Sequence, residues 1–169
     1  MRSKLASLIA IGALLVALPA LAKVKVGDVA PDFTLKNMNG KEFKLSTYKD
    51  KKPVVLVIWQ SACSSCQQEM VLVNEVAGRG DKFELVTINV DVRSARPGWK
   101  ENIDKFFEEK KLKLEVLVDP TYSVGQTYGI GATPSTILIT KEGTVGDIIT
   151  GFTPGADDSD LSKAITGIK

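Results

Sequence analysis

Val54-Val55-Leu56-Val57-Ile58-Trp59-Gln60-Ser61-Ala62-Cys63-Ser64-Ser65-Cys66-Gln67-Gln68-Glu69-Met70 is the stretch that decides the fold. Its first six residues are continuously apolar and rich in β-branched side chains, with no polar alternation, as in a strand buried on both faces. Both cysteines of the chain follow at once. From about Cys63 to Ala77 the pattern becomes helical, and Gly78-Arg79-Gly80 ends it. Phe83–Val90 is a second run of the buried-strand type. A strand, a tightly connected helix and a second such strand form a βαβ unit, which requires parallel pairing and places the chain in the α/β class.

The helix turns by about 100° per residue, so each side chain can be assigned a direction from Cys63. Gln67, Gln68, Asn74 and Glu75 share one side; Cys66, Met70, Leu72, Val73, Val76 and Ala77 share the other. Glu69 falls in the middle of the apolar side. Two readings are open from the wheel alone. Glu69 is either a partly buried carboxyl near the deeper sulfur, with a raised pKa that lets it exchange a proton with Cys66, or a side chain whose stem packs while its head reaches solvent at the domain edge.

Upstream, Asp32–Lys36 and Glu42–Leu45 alternate in polarity around Asn37-Met38-Asn39-Gly40, a hairpin signal. Downstream, Pro97 opens a helical stretch to Lys111, Glu115–Val118 reads as a short strand, and a helix near Tyr122–Tyr128 leads into Gly129-Ile130-Gly131-Ala132-Thr133-Pro134. Ser135–Thr140 and Val145–Thr150 form a second hairpin around Lys141-Glu142-Gly143. A closing helix is expected at Leu161–Ile168, with Asp157, Asp158 and Asp160 at its positive end. The lysine clusters at 49–52 and 110–113 read as solvated faces.

At the N-terminus, Arg2 and Lys4 precede an apolar run from Leu5 to Leu18, and Pro19-Ala20-Leu21-Ala22 sets small residues at the −3 and −1 positions of a cut after Ala22, the pattern of a secretory signal peptide. The expected organisation is a leader at 1–22 and a domain at 23–169, in a periplasmic or other extracytoplasmic compartment; an uncleaved leader would anchor the domain to the membrane. No cysteine follows the cut, so a lipoprotein anchor is excluded. Of the 169 residues, 25% are charged and 44% belong to the apolar set, which excludes a disordered chain and a multi-span membrane protein. Setting Arg2 and Lys4 aside leaves 20 basic against 20 acidic residues, a balance that makes no case for nucleic acid. The chain has no histidine, which removes His-based acid/base catalysis and most zinc and copper sites.

Cys63 falls at the helix N-terminus, where unpaired N–H groups and the positive end of the dipole stabilise a thiolate, so it is the expected nucleophile. Cys66, one turn deeper, can resolve a mixed disulfide by internal attack. A disulfide closing so small a ring is a poor structural staple. Two thiolates without further ligands leave a tetrahedral metal site half empty. Trp59 has two readings, core residue or substrate contact.

Val26-Gly27-Asp28-Val29-Ala30-Pro31-Asp32-Phe33, Trp59 four residues before the C-x-x-C, Val118-Asp119-Pro120, Tyr128-Gly129-Ile130, Thr133-Pro134-Ser135-Thr136 and Glu142-Gly143 together resemble the extracytoplasmic thioredoxin-like proteins of the TlpA/ResA type, or redoxins, over about residues 24–169. The resemblance implies a thioredoxin fold, with a central mixed β-sheet flanked by helices and an extra N-terminal β-hairpin. It also implies a cis bond at Thr133-Pro134 facing the cysteines. The chemistry it implies is dithiol/disulfide exchange on disulfide-containing proteins, in cytochrome c maturation or general disulfide reduction, fed by a membrane thiol donor and needing no cofactor. Glu69 matches the acidic position of the family's C-x-x-C-x-x-E pattern and takes the proton role there. Cys63, Cys66 and Glu69 are thus the expected catalytic residues, and Thr133, Pro134 and Trp59 the expected substrate contacts.

The chain departs from the family at Ala62, Ser65 and Met70, where Trp, Pro and Pro are usual. The residues between the cysteines influence the redox potential, so Ser64-Ser65 bears on the direction of electron flow. The buried Asp that cytosolic thioredoxins carry six residues before the first Cys is Val57 here. A peroxiredoxin-like peroxidase shares the opening Gly-Asp-x-Ala-Pro-x-Phe pattern but needs Pro-x-x-x-Thr-x-x-Cys; relative to Cys63 those positions hold Leu56 and Gln60. A non-enzymatic binding or metal-delivery module on the same fold is the third alternative, and the absence of histidine speaks against copper.

Overall fold

The computed structural model describes residues 23–79, 81–94 and 97–169; the leader expected at 1–22 lies outside them. Seven strands, β1 (Thr34–Asn37), β2 (Glu42–Lys44), β3 (Val54–Trp59), β4 (Glu84–Asn89), β5 (Glu115–Val118), β6 (Ser135–Ile139) and β7 (Val145–Thr150), form one sheet in the order β2-β1-β5-β4-β3-β6-β7. β3, β4 and β5 run parallel, while β6, β7 and the β1–β2 hairpin join antiparallel. The helices are α1 (Ser64–Ala77), α2 (Trp99–Lys110), α3 (Ser123–Thr127) and α4 (Asp158–Gly167). This is the thioredoxin-like α/β architecture, with the N-terminal hairpin added to the β5 edge through Lys36↔Val118 and Asn37↔Leu117.

Every residue of β3 is buried, and its two faces feed two cores. Val54, Leu56 and Ile58 pack with Val86, Ile88, Val124, Tyr128 and Ile137 on the α3 side. Val55, Val57 and Trp59 pack with Met70 and Val73 of α1, Ile103 and Phe106 of α2, and Leu161 and Ile165 of α4 on the other. Each fully buried aliphatic side chain there contributes roughly 1.5–3 kcal/mol. α1 is thus seated on the more helix-rich core by its apolar stripe, Cys66, Met70, Val73 and Val76.

Several boundaries shift for local reasons. β1 starts at Thr34 because Asp32 turns away to accept the Ser46 N–H at 2.9 Å, at the 3-10 turn Leu45–Tyr48 that ends β2. α2 starts at Trp99 rather than Pro97, since Gly98 takes the left-handed conformation (φ 71°) and breaks the turn. α4 starts at Asp158, so Asp158 and Asp160 lie within its first turn, where the macrodipole favours them.

Gly125, inside α3, has no room for a methyl group: a Cβ would intrude on the ring of Tyr122, whose hydroxyl donates to the Ile130 carbonyl at 2.9 Å. Gly125→Ala is expected to destabilise the fold by about 1–3 kcal/mol, an overpacking cost larger than the gain in helix propensity. The midpoint of denaturant unfolding reads this directly, and an unchanged or raised midpoint would contradict it.

Candidate active site

β3 and β4 pair in parallel, Trp59 opposite Asn89, so that their C-termini lie at the same end of the sheet. There Gln60-Ser61-Ala62 carries the chain from β3 into α1. Cys63 is the N-cap of α1, half-exposed, and forms a disulfide with the fully buried Cys66 across a Cα–Cα distance of 5.2 Å. Cys63 Sγ accepts the Cys66 backbone N–H at 3.2 Å and lies 3.4 Å from the Ser65 hydroxyl oxygen. After reduction the same groups would face a thiolate: a backbone donor, a hydroxyl donor and the positive end of a 14-residue helix.

The cis peptide bond joins Thr133 to Pro134, and the Thr133 carbonyl oxygen is 3.9 Å from Cys63 Sγ. Thr133 is half-exposed and Pro134 buried. The Thr133 hydroxyl donates to Gln60 Oε1 at 3.2 Å, so the two loops flanking the disulfide hold each other.

Glu69 is 2% exposed and shares the buried face of α1 with Cys66, one turn apart. Its Oε1 accepts the Thr136 hydroxyl at 2.5 Å, while Oε2 is buried with no hydrogen-bond partner. Burial pushes its carboxyl up to about 7, against the lowering effect of the Thr136 bond and with a further rise from the nearby charge of Asp157. Of the two readings left by the helical wheel, the head that escapes to solvent is therefore ruled out.

Trp59 corrects an expectation. It is fully buried, its ring centroid 5.9 Å from those of Phe106 and Phe107, because the last residue of an interior strand points its side chain beneath α1 and α2. It is a core residue and offers no surface to a substrate.

A further set of residues has no counterpart among the expected ones. Gln67 Nε2 donates to the Ser61 carbonyl at 2.6 Å, and the buried Asp91 carboxylate accepts the Ser61 N–H at 3.0 and 3.2 Å. The register that sets Trp59 opposite Asn89 carries on to set Ser61 beside Asp91. Strand lengths read from the sequence could have found this pairing; the type of residue could not. Ser61, Ala62 and Gln67 also form one wall of a groove of about 430 Å³ beside Cys63, faced by Asn102, Phe106 and Lys110 of the α2 region. Among the described residues no group of three or more Cys, Asp or Glu is arranged to hold a metal ion.

Residues 26–148 match the model of the AhpC/TSA family. The thiol-disulfide oxidoreductase ResA of Geobacillus thermodenitrificans is 38% identical over 130 residues, 76% of this chain and 71% of that protein. ResA of Geobacillus kaustophilus is 37% identical over 148 residues, 86% of this chain and 79% of that protein. Among solved structures, a putative thiol:disulfide interchange protein DsbE from Chlorobium tepidum superposes with a TM-score of 0.73 at 28% identity, covering 86% of this chain and 98% of that one.

Proposed function

The chain belongs to the AhpC/TSA family and, within reach of the ResA proteins, to the thiol-disulfide oxidoreductases, and from that premise we propose that Cys63, Cys66 and Glu69 carry out a reductive exchange on disulfide-bearing polypeptides. The observation that carries the assignment of roles is the asymmetry of the pair: Cys63 is accessible and accepts the Cys66 N–H, whereas Cys66 is sealed in the core on the helix face it shares with the buried Glu69 carboxyl.

In the first step the Cys63 thiolate attacks a substrate disulfide. A Cys63–substrate S–S bond forms, the substrate S–S bond breaks, and one substrate sulfur leaves as a thiolate that takes a proton from water. In the second step Cys66 gives its proton to Glu69 and attacks Cys63 Sγ. The Cys63–Cys66 bond re-forms, and the second substrate sulfur leaves with the electron pair. Two electrons have passed from the dithiol to the substrate, and a thiol donor must return them. We assign that donor to the membrane, and the protein to the extracytoplasmic side, on the strength of the leader pattern at 1–22; the likeness to TlpA/ResA proteins adds cytochrome c maturation as the process. Thr133, with its carbonyl at the sulfur, and Pro134 behind it form the substrate-side wall.

The reduction potential of the pair, measured against glutathione and dithiothreitol buffers, tests the direction. A value near or below about −250 mV is expected of a reductase with a dedicated electron supply; a value of about −120 to −180 mV would assign disulfide formation or isomerisation instead. The family match itself raises the peroxidase reading, which one molar equivalent of hydrogen peroxide checks: rapid loss of both thiols would favour it. Its Thr position is occupied by Gln60, which is engaged with Thr133 rather than facing Cys63 with a hydroxyl.

A further inference from the structure

The roles assigned above leave unused a carboxylate buried directly behind the redox loop. Asp91 is fully buried. Both its oxygens accept the Ser61 N–H, Oδ2 also accepts Asn89 Nδ2 at 3.1 Å, and its own N–H donates to Asn89 Oδ1 at 2.9 Å. No ion pair engages it among the described residues. With Gln67 on the carbonyl of Ser61 and Asp91 on its N–H, both polar groups of that peptide position are gripped by side chains. A buried carboxylate costs solvation that a neutral acceptor would not, so a carboxylate as the brace of a three-residue loop points beyond bracing alone.

We propose that Asp91 is a positioning residue of the reduced state, holding Ser61 so that Cys63 stays over the helix N-terminus once its covalent tie to Cys66 is gone. In the disulfide form the S–S bond itself fixes Cys63 beside Cys66. In the dithiol form only the loop does so, and the contact of Cys63 Sγ with the Cys66 N–H is worth most when the sulfur is a thiolate. The proposal rests on Cys63 being the nucleophile.

The hydrogen-bond pattern dictates the test. In Asp91→Asn the new NH₂ meets a donor in either orientation: at the Oδ2 position it opposes the Asn89 NH₂ and the Ser61 N–H, and at the Oδ1 position it opposes the Ser61 N–H. In the double variant Asn89→Asp/Asp91→Asn the carboxylate at 89 still takes the backbone N–H of residue 91 and draws the new NH₂ to the Oδ2 position, which leaves the amide oxygen at the Oδ1 position, 3.2 Å from the Ser61 nitrogen, to accept its N–H. Reduced proteins are alkylated with iodoacetamide at pH 7, with peptide mapping of the labelled sulfur, and equilibrated with glutathione. Asp91→Asn should slow Cys63 alkylation about tenfold and shift the glutathione equilibrium about tenfold toward the disulfide, close to 30 mV more negative. The double variant should recover both to within about twofold. Unchanged or faster alkylation in a folded Asp91→Asn protein, or no recovery in the double variant, would overturn the proposal; faster alkylation would mean that the carboxylate acts through its charge. Should Asp91→Asn not fold, Gln67→Ala releases Ser61 from the other side and should slow alkylation about threefold, and an unchanged rate there would overturn the proposal equally. Labelling of Cys66 before Cys63 in the unaltered protein would defeat the nucleophile assignment itself, and is seen before any variant is compared.

Discussion

Cys63→Ser is expected to reduce disulfide turnover to background, a loss on the order of a thousandfold or more, the scale on which removal of an attacking group acts. A serine hydroxyl at the N-cap still accepts the Cys66 N–H and keeps the helix start intact, so the protein should fold while losing the reaction. Cys66→Ser has a different phenotype. Its Cys63 is intact and still attacks, but no internal thiol releases the product, so a one-to-one mixed disulfide with the substrate polypeptide accumulates until dithiothreitol is added. Non-reducing electrophoresis and intact mass read both outcomes. The asymmetry of the site requires this order: Cys63 is half-exposed and Cys66 wholly buried, so an incoming disulfide can meet only the first sulfur. Retained turnover in Cys63→Ser, or trapping by Cys63→Ser rather than Cys66→Ser, would reverse the roles.

The parts of this site that are local in sequence were legible there. Val54–Trp59 reads as a doubly buried strand because every side chain in it is apolar, and the helical wheel places Glu69 among Cys66, Met70 and Val73, where it is found. What was not legible is what strand pairing brings together from far along the chain. Asp91 looks like an ordinary acid at a strand end; only the parallel register of β3 and β4 makes it the brace of Ser61. Thr136, the partner of Glu69, lies 67 residues away on an antiparallel strand, and Asp157, read from the sequence as a helix-end charge, also bears on Glu69. Trp59 shows the converse: its type and its place beside the cysteines fit a substrate contact, but the alternation of side chains along β3 turns it into the core. The cis bond at Thr133-Pro134 came from the family likeness alone, since sequence pattern carries no signal for the isomer.

Glu69→Gln should separate stability from turnover, because the buried carboxyl is a liability to the fold and an asset to the reaction. Burial raises its pKa from the ordinary 4.5 to about 7, so between those limits the folded protein holds a proton that the unfolded chain has released. Stability from this group is therefore fully present below about pH 4.5 and is lost as pH rises through about 7, amounting to on the order of 3 kcal/mol. Denaturant unfolding of the oxidised protein at pH 5 and pH 8 should show that loss in the unaltered chain and little of it in Glu69→Gln. The comparison of slopes cancels whatever the buried amide of Gln costs at both pH values. In turnover the effect runs the other way. Gln keeps an oxygen for Thr136 but cannot take the Cys66 proton, so release of product from the mixed disulfide should slow by about 10²–10⁴-fold, the range for a positioned general base. The first attack by Cys63 is untouched by the change, so the mixed disulfide should build up transiently in single-turnover mixing. If release in Glu69→Gln is as fast as in the unaltered protein while the pH 5 to pH 8 stability loss disappears, Glu69 is a buried acid with no part in the proton transfer, and Cys66 must lose its proton directly to water.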